Sequence, residues 1–254
     1  MKNFELISFA TAEELAGTVA GKWLNEIESA NRAGKSHCVA LSGGRIAQTF
    51  FASVAEQAKR RKIGNGGTPS LPINVHFFWA DERCVPPDDR ESNFRLANEL
   101  LFTPLKISES RIHRIRGELP PEAAAKIAEE ELCRFTGSAG IFAGKDARVP
   151  RLDLIFLGMG EDGHVASLFP GEAETASSDK AVYRAVNNSP KPPANRVTLG
   201  YAAIAAARQV WVLVSGAGKE LALRESLAAD GGTPLARVTK IRTQTTIFSD
   251  FPTI

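Results

Sequence analysis

The feature that most limits how this chain can fold is a short run of bulky apolar residues, Leu154-Ile155-Phe156-Leu157, stopped by Gly158 and followed by Met159-Gly160-Glu161-Asp162-Gly163-His164. A brief, unalternating apolar run bounded by glycine reads as a strand buried on both faces, the kind found in parallel sheets. The same grammar recurs along the chain. Ser36 to Leu41 reads as a strand, Ser42-Gly43-Gly44 as a turn, and Ile46, Phe50, Phe51 and Val54 as the apolar face of a helix. Ile73 to Trp79 reads as another strand, and Gln209 to Ser215 as one that Gly216-Ala217-Gly218-Lys219 turns into a helix carrying Leu221, Leu223 and Leu227. The expected fold is α/β: a single domain over residues 1–254 with a mostly parallel, doubly wound, Rossmann-like sheet and helices on both faces.

Other segments fill in that plan. Thr11 to Glu14 has the spacing of a capping box, ahead of a helix with Leu15, Val19, Trp23, Leu24 and Ile27 at helical intervals. Asn93 is expected to cap a helix over Phe94 to Leu101, Ile112 to Ile115 to form a short strand, and Pro120 to Phe135 a helix. Ile63 to Pro72 and Gly137 to Pro150 read as loops, and Gly171 to Lys180 as an acidic surface excursion. Ala181 to Val186 reads as a strand, Asn187 to Asn195 as a segment with three prolines, and Gln244 to Ser249 as the last strand. His76 and His113 read as structural.

Charge and cysteine usage narrow the function classes. The 254 residues carry 31 Lys and Arg against 29 Asp and Glu, a net charge of +2 that gives no global reason to expect nucleic acid or an anionic membrane as partner. Lys59-Arg60-Arg61-Lys62 reads as a solvated helix end, where cations complement the dipole. The 3 cysteines, Cys38, Cys84 and Cys133, lack C-x-x-C spacing, which argues against a disulfide framework or structural zinc and fits a reducing cytoplasm. The acidic N-terminus has no uninterrupted apolar stretch of signal-peptide type, and the most apolar region, Val197 to Val214, is broken by Arg208 and Gln209, so no membrane span is expected.

In open α/β sheets ligands bind beyond the carboxyl ends of the strands, where His164 would sit with Asp162 and Glu161 close in sequence. Such a setting can orient an imidazole for general base catalysis, although the glycines would equally serve a plain tight turn. The turn Ser42-Gly43-Gly44 aims backbone N–H groups and a helix N-terminus at one point, which suits phosphate. Arg45 either joins that anion site or points to solvent. Asp81-Glu82-Arg83 is either a surface turn or part of a site, and Arg196 either a ligand or one half of a loop ion pair. Lys219 at a helix start opposes the dipole and makes sense where an anion lies between them. No G-x-S-x-G elbow supports a serine hydrolase, so Ser167 reads as structural, and the 4 histidines are too scattered for a metal hydrolase.

Gly158 to Gly171, GMGEDGHVASLFPG, resembles the signature of the 6-phosphogluconolactonases, with Val165 where threonine is commoner. Phe78 to Val85 with Ser92-Asn93 is similar to that family's Trp-x-Asp-Glu-Arg-x-Val block and the Ser-Asn pair after it, and Arg196 to Leu199 to its Arg-Ile-Thr-Leu block. Ser42, Gly43 and Gly44 match the start of its phosphate loop, whereas Arg45-Ile46-Ala47 replaces the usual Ser-Thr-Pro. The resemblance implies hydrolysis of 6-phospho-D-glucono-1,5-lactone to 6-phospho-D-gluconate, in the oxidative pentose phosphate pathway, with no cofactor and no metal. It implies His164 as base, Asp162 as its orienter, Arg83 on the oxyanion, and Ser42, Gly43, Gly44, Arg45, Arg196 and Lys219 around the phosphate. The related glucosamine-6-phosphate deaminase/isomerases, and a sugar-phosphate-binding protein without catalysis, are the alternative functions. Monomer and homodimer stay equally open.

Overall fold

The computed structural model describes residues 3–61, 71–72, 74–136, 141–142, 148–171 and 181–251. In chain order it runs β1 (Phe4–Ser8), α1 (Ala12–Arg32), β2 (His37–Leu41), α2 (Arg45–Arg60), β3 (Val75–Trp79), β4 (Asp81–Arg83), α3 (Asn93–Ala97) and α4 (Pro121–Thr136). There follow β5 (Ile141–Phe142), β6 (Arg148–Val149), β7 (Leu154–Gly158), β8 (Tyr183–Val186), β9 (Arg196–Leu199) and α5 (Tyr201–Ala206). The chain ends through β10 (Gln209–Val214), α6 (Glu220–Leu227), α7 (Pro234–Ile241) and β11 (Thr245–Ser249).

Six strands form one sheet in the order β1-β11-β10-β7-β2-β3, every pairing parallel. The central strands β2, β7 and β10 are apolar because both their faces are covered. Ring contacts of adjacent β3 residues fix which helices lie where. Phe77 meets Trp23 of α1, while the next residue, Phe78, meets Phe135 of α4. Successive side chains of a strand point to opposite faces, so α1 and α4 cover opposite sides of the sheet, as expected for a doubly wound fold. Trp23 is fully buried among Phe50 of α2, Phe77 and Phe156, which ties α1 and α2 to two strands at once. The α1 start keeps its capping logic: the Glu14 N–H donates to Thr11 Oγ1, and the Glu14 carboxylate reaches back to the Ala10 N–H.

Several elements differ from the sequence expectations. Phe4–Ser8, unassigned from the sequence, forms the sheet edge by pairing with β11. Asp81–Arg83, expected as a loop, is a strand paired antiparallel to β9 within a small sheet β4-β9-β8. The cap of α3 is Ser92, whose hydroxyl accepts the Arg95 N–H, and Asn93 is the first helical residue with its side chain turned inward. The helix stops at Ala97 and continues as a π-helical turn over Asn98–Phe102. Ile112 makes a single bridge to Phe77 where a short strand was expected. Within Gly137 to Pro150 the strands β5 and β6 pair antiparallel, and the remainder of that loop lies largely outside the described residues. Residues 62–70 and 172–180, the bulk of two further expected loops, also lie outside them. Among the described residues no helix is long and apolar enough to cross a membrane.

Candidate active site

From β2 the chain steps outward to β3, and from β7 it steps the opposite way to β10, while β2 and β7 are themselves neighbours. The gap between them is the topological switch point at which α/β sheets hold ligands, because the two outgoing loops splay apart there. Ser42 to Arg45 leaves β2 and Gly158 to His164 leaves β7. Together with Asp81, Arg83, Lys191, Arg196 and Lys219 they line a cavity of about 330 Å³. A larger hollow of about 690 Å³ lies under α3 and α4, where His113 pairs with Glu131 at 2.9 Å and Arg114 with Glu118 at 2.7 Å. His76 lies 3.1 Å from His113, so both histidines sit outside the switch-point cavity, consistent with a structural role.

The β7 loop is shaped around one imidazole. Gly160 donates to the His164 carbonyl at 2.9 Å, and a side chain at Gly160 would run into the His164 ring and the Asp162 carboxylate. Gly163 has φ +76°, a conformation that costs glycine little. His164 Nδ1 lies 2.5 Å from Asp162 Oδ1, which makes Nδ1 the protonated nitrogen, and Nε2 has no hydrogen-bond partner among the described residues. The Phe169 ring packs against the imidazole at 4.8 Å between centroids. Burial lowers the His164 pKa from its ordinary value, with Asp162 pulling the other way, which favours the neutral ring. Burial raises Asp162, but the His164 hydrogen bond and charge, helped by Lys191, bring its carboxyl net below the ordinary value.

Behind this pair lies a buried network in which most polar groups are partnered. Asp81 is 5% exposed; its Oδ2 accepts the Ser167 hydroxyl at 2.7 Å and its carbonyl accepts Asn93 Nδ2 at 2.9 Å. Asn93 fills the space a Gly43 side chain would take, which is why Gly43 must be glycine. Arg196 is 4% exposed and donates to the carbonyls of Lys191, Pro192 and Pro193 at 3.0–3.1 Å, so its guanidinium shapes a strap of chain and, among the described residues, pairs with no loop carboxylate. Glu82 accepts the backbone N–H groups of Arg83, Asn93 and Phe94 at 2.7–2.8 Å and the Ser92 hydroxyl. Burial pushes its carboxyl up to about 7 against those donors. Arg83 donates to the Glu91 carbonyl at 2.7 Å and keeps a buried Nε without a partner.

The opposite lip is open and cationic. Arg45 is the first residue of α2, with a side chain 76% exposed and 3.9 Å from Glu161. Lys219 stands at the N-cap position of α6, its pKa lowered by burial and then by the nearby Arg45 charge. Lys191 reaches to 3.4 Å from Asp162 Oδ1. The Ser42 hydroxyl donates to the Phe156 carbonyl at 2.8 Å, so only its backbone remains to donate to a ligand. Asp81, Asn93, Ser167 and Lys191 were not singled out as site residues from the sequence. Asp81 stood within the Asp-Glu-Arg block, but nothing local marks Lys191, which lies among prolines.

The family model described as glucosamine-6-phosphate isomerases/6-phosphogluconolactonase matches residues 10–247. A 6-phosphogluconolactonase 3, chloroplastic, of Arabidopsis thaliana is 36% identical over 177 residues, 70% of this chain and 54% of that protein, so the chain spans about half its length. A 6-phosphogluconolactonase of Mycobacterium leprae is 34% identical over 218 residues, 79% of this chain and 84% of that one. A solved 6-phosphogluconolactonase from Trypanosoma brucei superposes with a TM-score of 0.80 at 27% identity, covering 98% of this chain and 97% of that one. A monomeric glucosamine-6-phosphate deaminase shares the fold, with a TM-score of 0.75 at 18% identity and 96% of each chain covered.

Proposed function

We propose that this chain, which belongs to the glucosamine-6-phosphate isomerase/6-phosphogluconolactonase family, hydrolyses 6-phospho-D-glucono-1,5-lactone to 6-phospho-D-gluconate. The observation that carries the reading is an imidazole, fixed through Nδ1 by a carboxylate, on a cavity whose other lip is cationic. Lactone hydrolysis needs a base for water, a place for the carbonyl oxygen's developing charge, and a hold on the anionic end of the substrate.

Nε2 of His164 takes a proton from water as the oxygen of that water attacks C1, and Asp162 holds the ring and steadies the imidazolium. Arg83, which lines the cavity, faces the charge that grows on the carbonyl oxygen. As the C1–ring oxygen bond breaks, His164 returns the proton to that oxygen, leaving a carboxylic acid that ionises and a free C5 hydroxyl. Arg45, Lys219 and the backbone N–H groups of Ser42 to Gly44 hold the phosphate at the starts of α2 and α6, where both helix dipoles favour an anion. The paired donors of a guanidinium compensate for the hydroxyls that Arg45 and Ile46 replace. Arg196 contributes by shaping the strap that carries Lys191. Residues 1–254 act as one sugar-phosphate lactonase domain, and the free thiols of Cys38, Cys84 and Cys133 suit a reducing cytoplasm.

The test is acid release from freshly generated 6-phosphogluconolactone, corrected for spontaneous hydrolysis, by the intact protein and by folded His164→Ala. Acceleration that the variant loses supports function and base together. No acceleration by the intact protein would overturn the lactonase reading; phosphate-ester binding without turnover would point to a binding protein, and ammonia release from glucosamine 6-phosphate to a deaminase.

A further inference from the structure

Asp162 Oδ1 serves two cationic or proton-bearing partners. His164 Nδ1 lies 2.5 Å from it and Lys191 Nζ 3.4 Å from the same oxygen. The lysine comes from the strap between β8 and β9, far in sequence from the β7 loop, and its approach is not accidental slack. Its carbonyl accepts Arg196 Nη2 at 3.0 Å and the Ser189 hydroxyl at 2.9 Å, and the next two carbonyls also accept from Arg196, so a buried guanidinium pins the backbone from which Lys191 projects.

A histidine whose Nδ1–H meets a carboxylate acquires affinity for a second proton, because the carboxylate favours the imidazolium. A base that is already protonated accepts nothing from water. The charged groups facing this ring are Asp162 from its own loop, Asp81 from β4 and Lys191 from the strap; the first two favour the imidazolium and only Lys191 opposes it. Arg196 sits beyond Phe169, with its guanidinium carbon 5.6 Å from that ring, and Glu161, Arg45, Arg83 and Lys219 stand around the rest of the cavity wall.

We propose that Lys191 is a positioning residue of the His164–Asp162 pair: its ammonium takes up part of the Asp162 charge, so that the carboxylate fixes the imidazole without drawing a proton onto it. The role presumes the lactonase reading above, but its physical core, the influence of Lys191 on the protonation of His164, is measurable without substrate.

With only 4 histidines in the chain, ring-proton NMR resolves His164, assigned by its loss in His164→Ala. The expected result is that Lys191→Met raises the His164 proton affinity about threefold or more, half a pKa unit, while Lys191→Arg stays close to the intact protein. Lactone hydrolysis by Lys191→Met should lose kcat/KM chiefly on the acid side, with the acid limb moved up in pH. An unmoved His164 titration overturns the proposal, and a loss of kcat/KM equal at all pH values beside it makes Lys191 an ordinary substrate-binding cation. A shifted titration in a protein that does not hydrolyse the lactone would keep the positioning role and sink the lactonase reading instead.

Discussion

On the β4 and β9 side of the cavity the carboxylates and Arg196 are held by partners: Asp81 holds Ser167 and Asn93, Arg196 holds three carbonyls, and Glu82 collects three backbone N–H groups. On the side formed by the starts of α2 and α6, Arg45 has only a 3.9 Å contact with an exposed Glu161, and the Lys219 ammonium makes no hydrogen bond among the described residues. The difference matches what each side must do. A base transferring a proton works only within a few tenths of an ångström of the right place, so its surroundings are fixed beforehand. A phosphate dianion is gripped by charge over a broader range of geometries, so its ligands need fewer fixed partners before it arrives.

Removing the base breaks the fixed side most severely. His164→Ala is expected to lower kcat by about 10²- to 10⁴-fold with an unchanged thermal transition, measured in the same preparation. Gly160→Ala should come next, at about 100-fold in kcat, because the added methyl group displaces the imidazole without touching the substrate's phosphate. Glu82→Ala leaves three buried N–H groups without their acceptor and is expected to cost about 2 kcal/mol of stability in denaturant titration. On the open side, Arg45→Ala should raise KM about tenfold with kcat nearly kept, and the effect should shrink as salt is added. If Arg45→Ala instead lowered kcat and left KM alone, the division between the two sides would collapse.

The smallest effect is on pH. Because the working form of His164 is the neutral one and burial depresses its pKa, activity should persist as pH falls past 6.5 and decline only as it passes through the lower value of the folded state. The same shift makes protonation of His164 oppose folding, so its contribution to stability is present above the unfolded pKa and lost on the acid side. An acid limb centred above 6.5 would contradict the buried setting of the ring.

The strand, glycine turn and helix order of β2 and β7 was legible because consecutive apolar residues and glycines carry it locally, and His164 with Asp162 was legible because only Gly163 separates them. What escaped depends on distant partners. β1 is a five-residue strand with no pattern of its own, and only β11 makes it one. Asp81 becomes a strand residue through Thr198, and its burial arises from Ser167, 86 positions away. The Ser42 hydroxyl is taken by a carbonyl of β7, and Lys191 meets Asp162 across 29 positions, neither of which a local motif encodes. Arg196 was read as a ligand candidate from its block's resemblance to the family, and while it lines the cavity, its bonds to the backbone carbonyls of the strap could not be read from that block.

The pairing of the first strand with the last has a consequence in time. A ribosome delivers Phe4–Ser8 long before its partner Thr245–Ser249. Until β11 emerges, β10 has no outer neighbour and β1 no neighbour at all. The nascent chain must carry an unfinished sheet edge until β11 arrives, and that edge is where a premature contact with another chain would form.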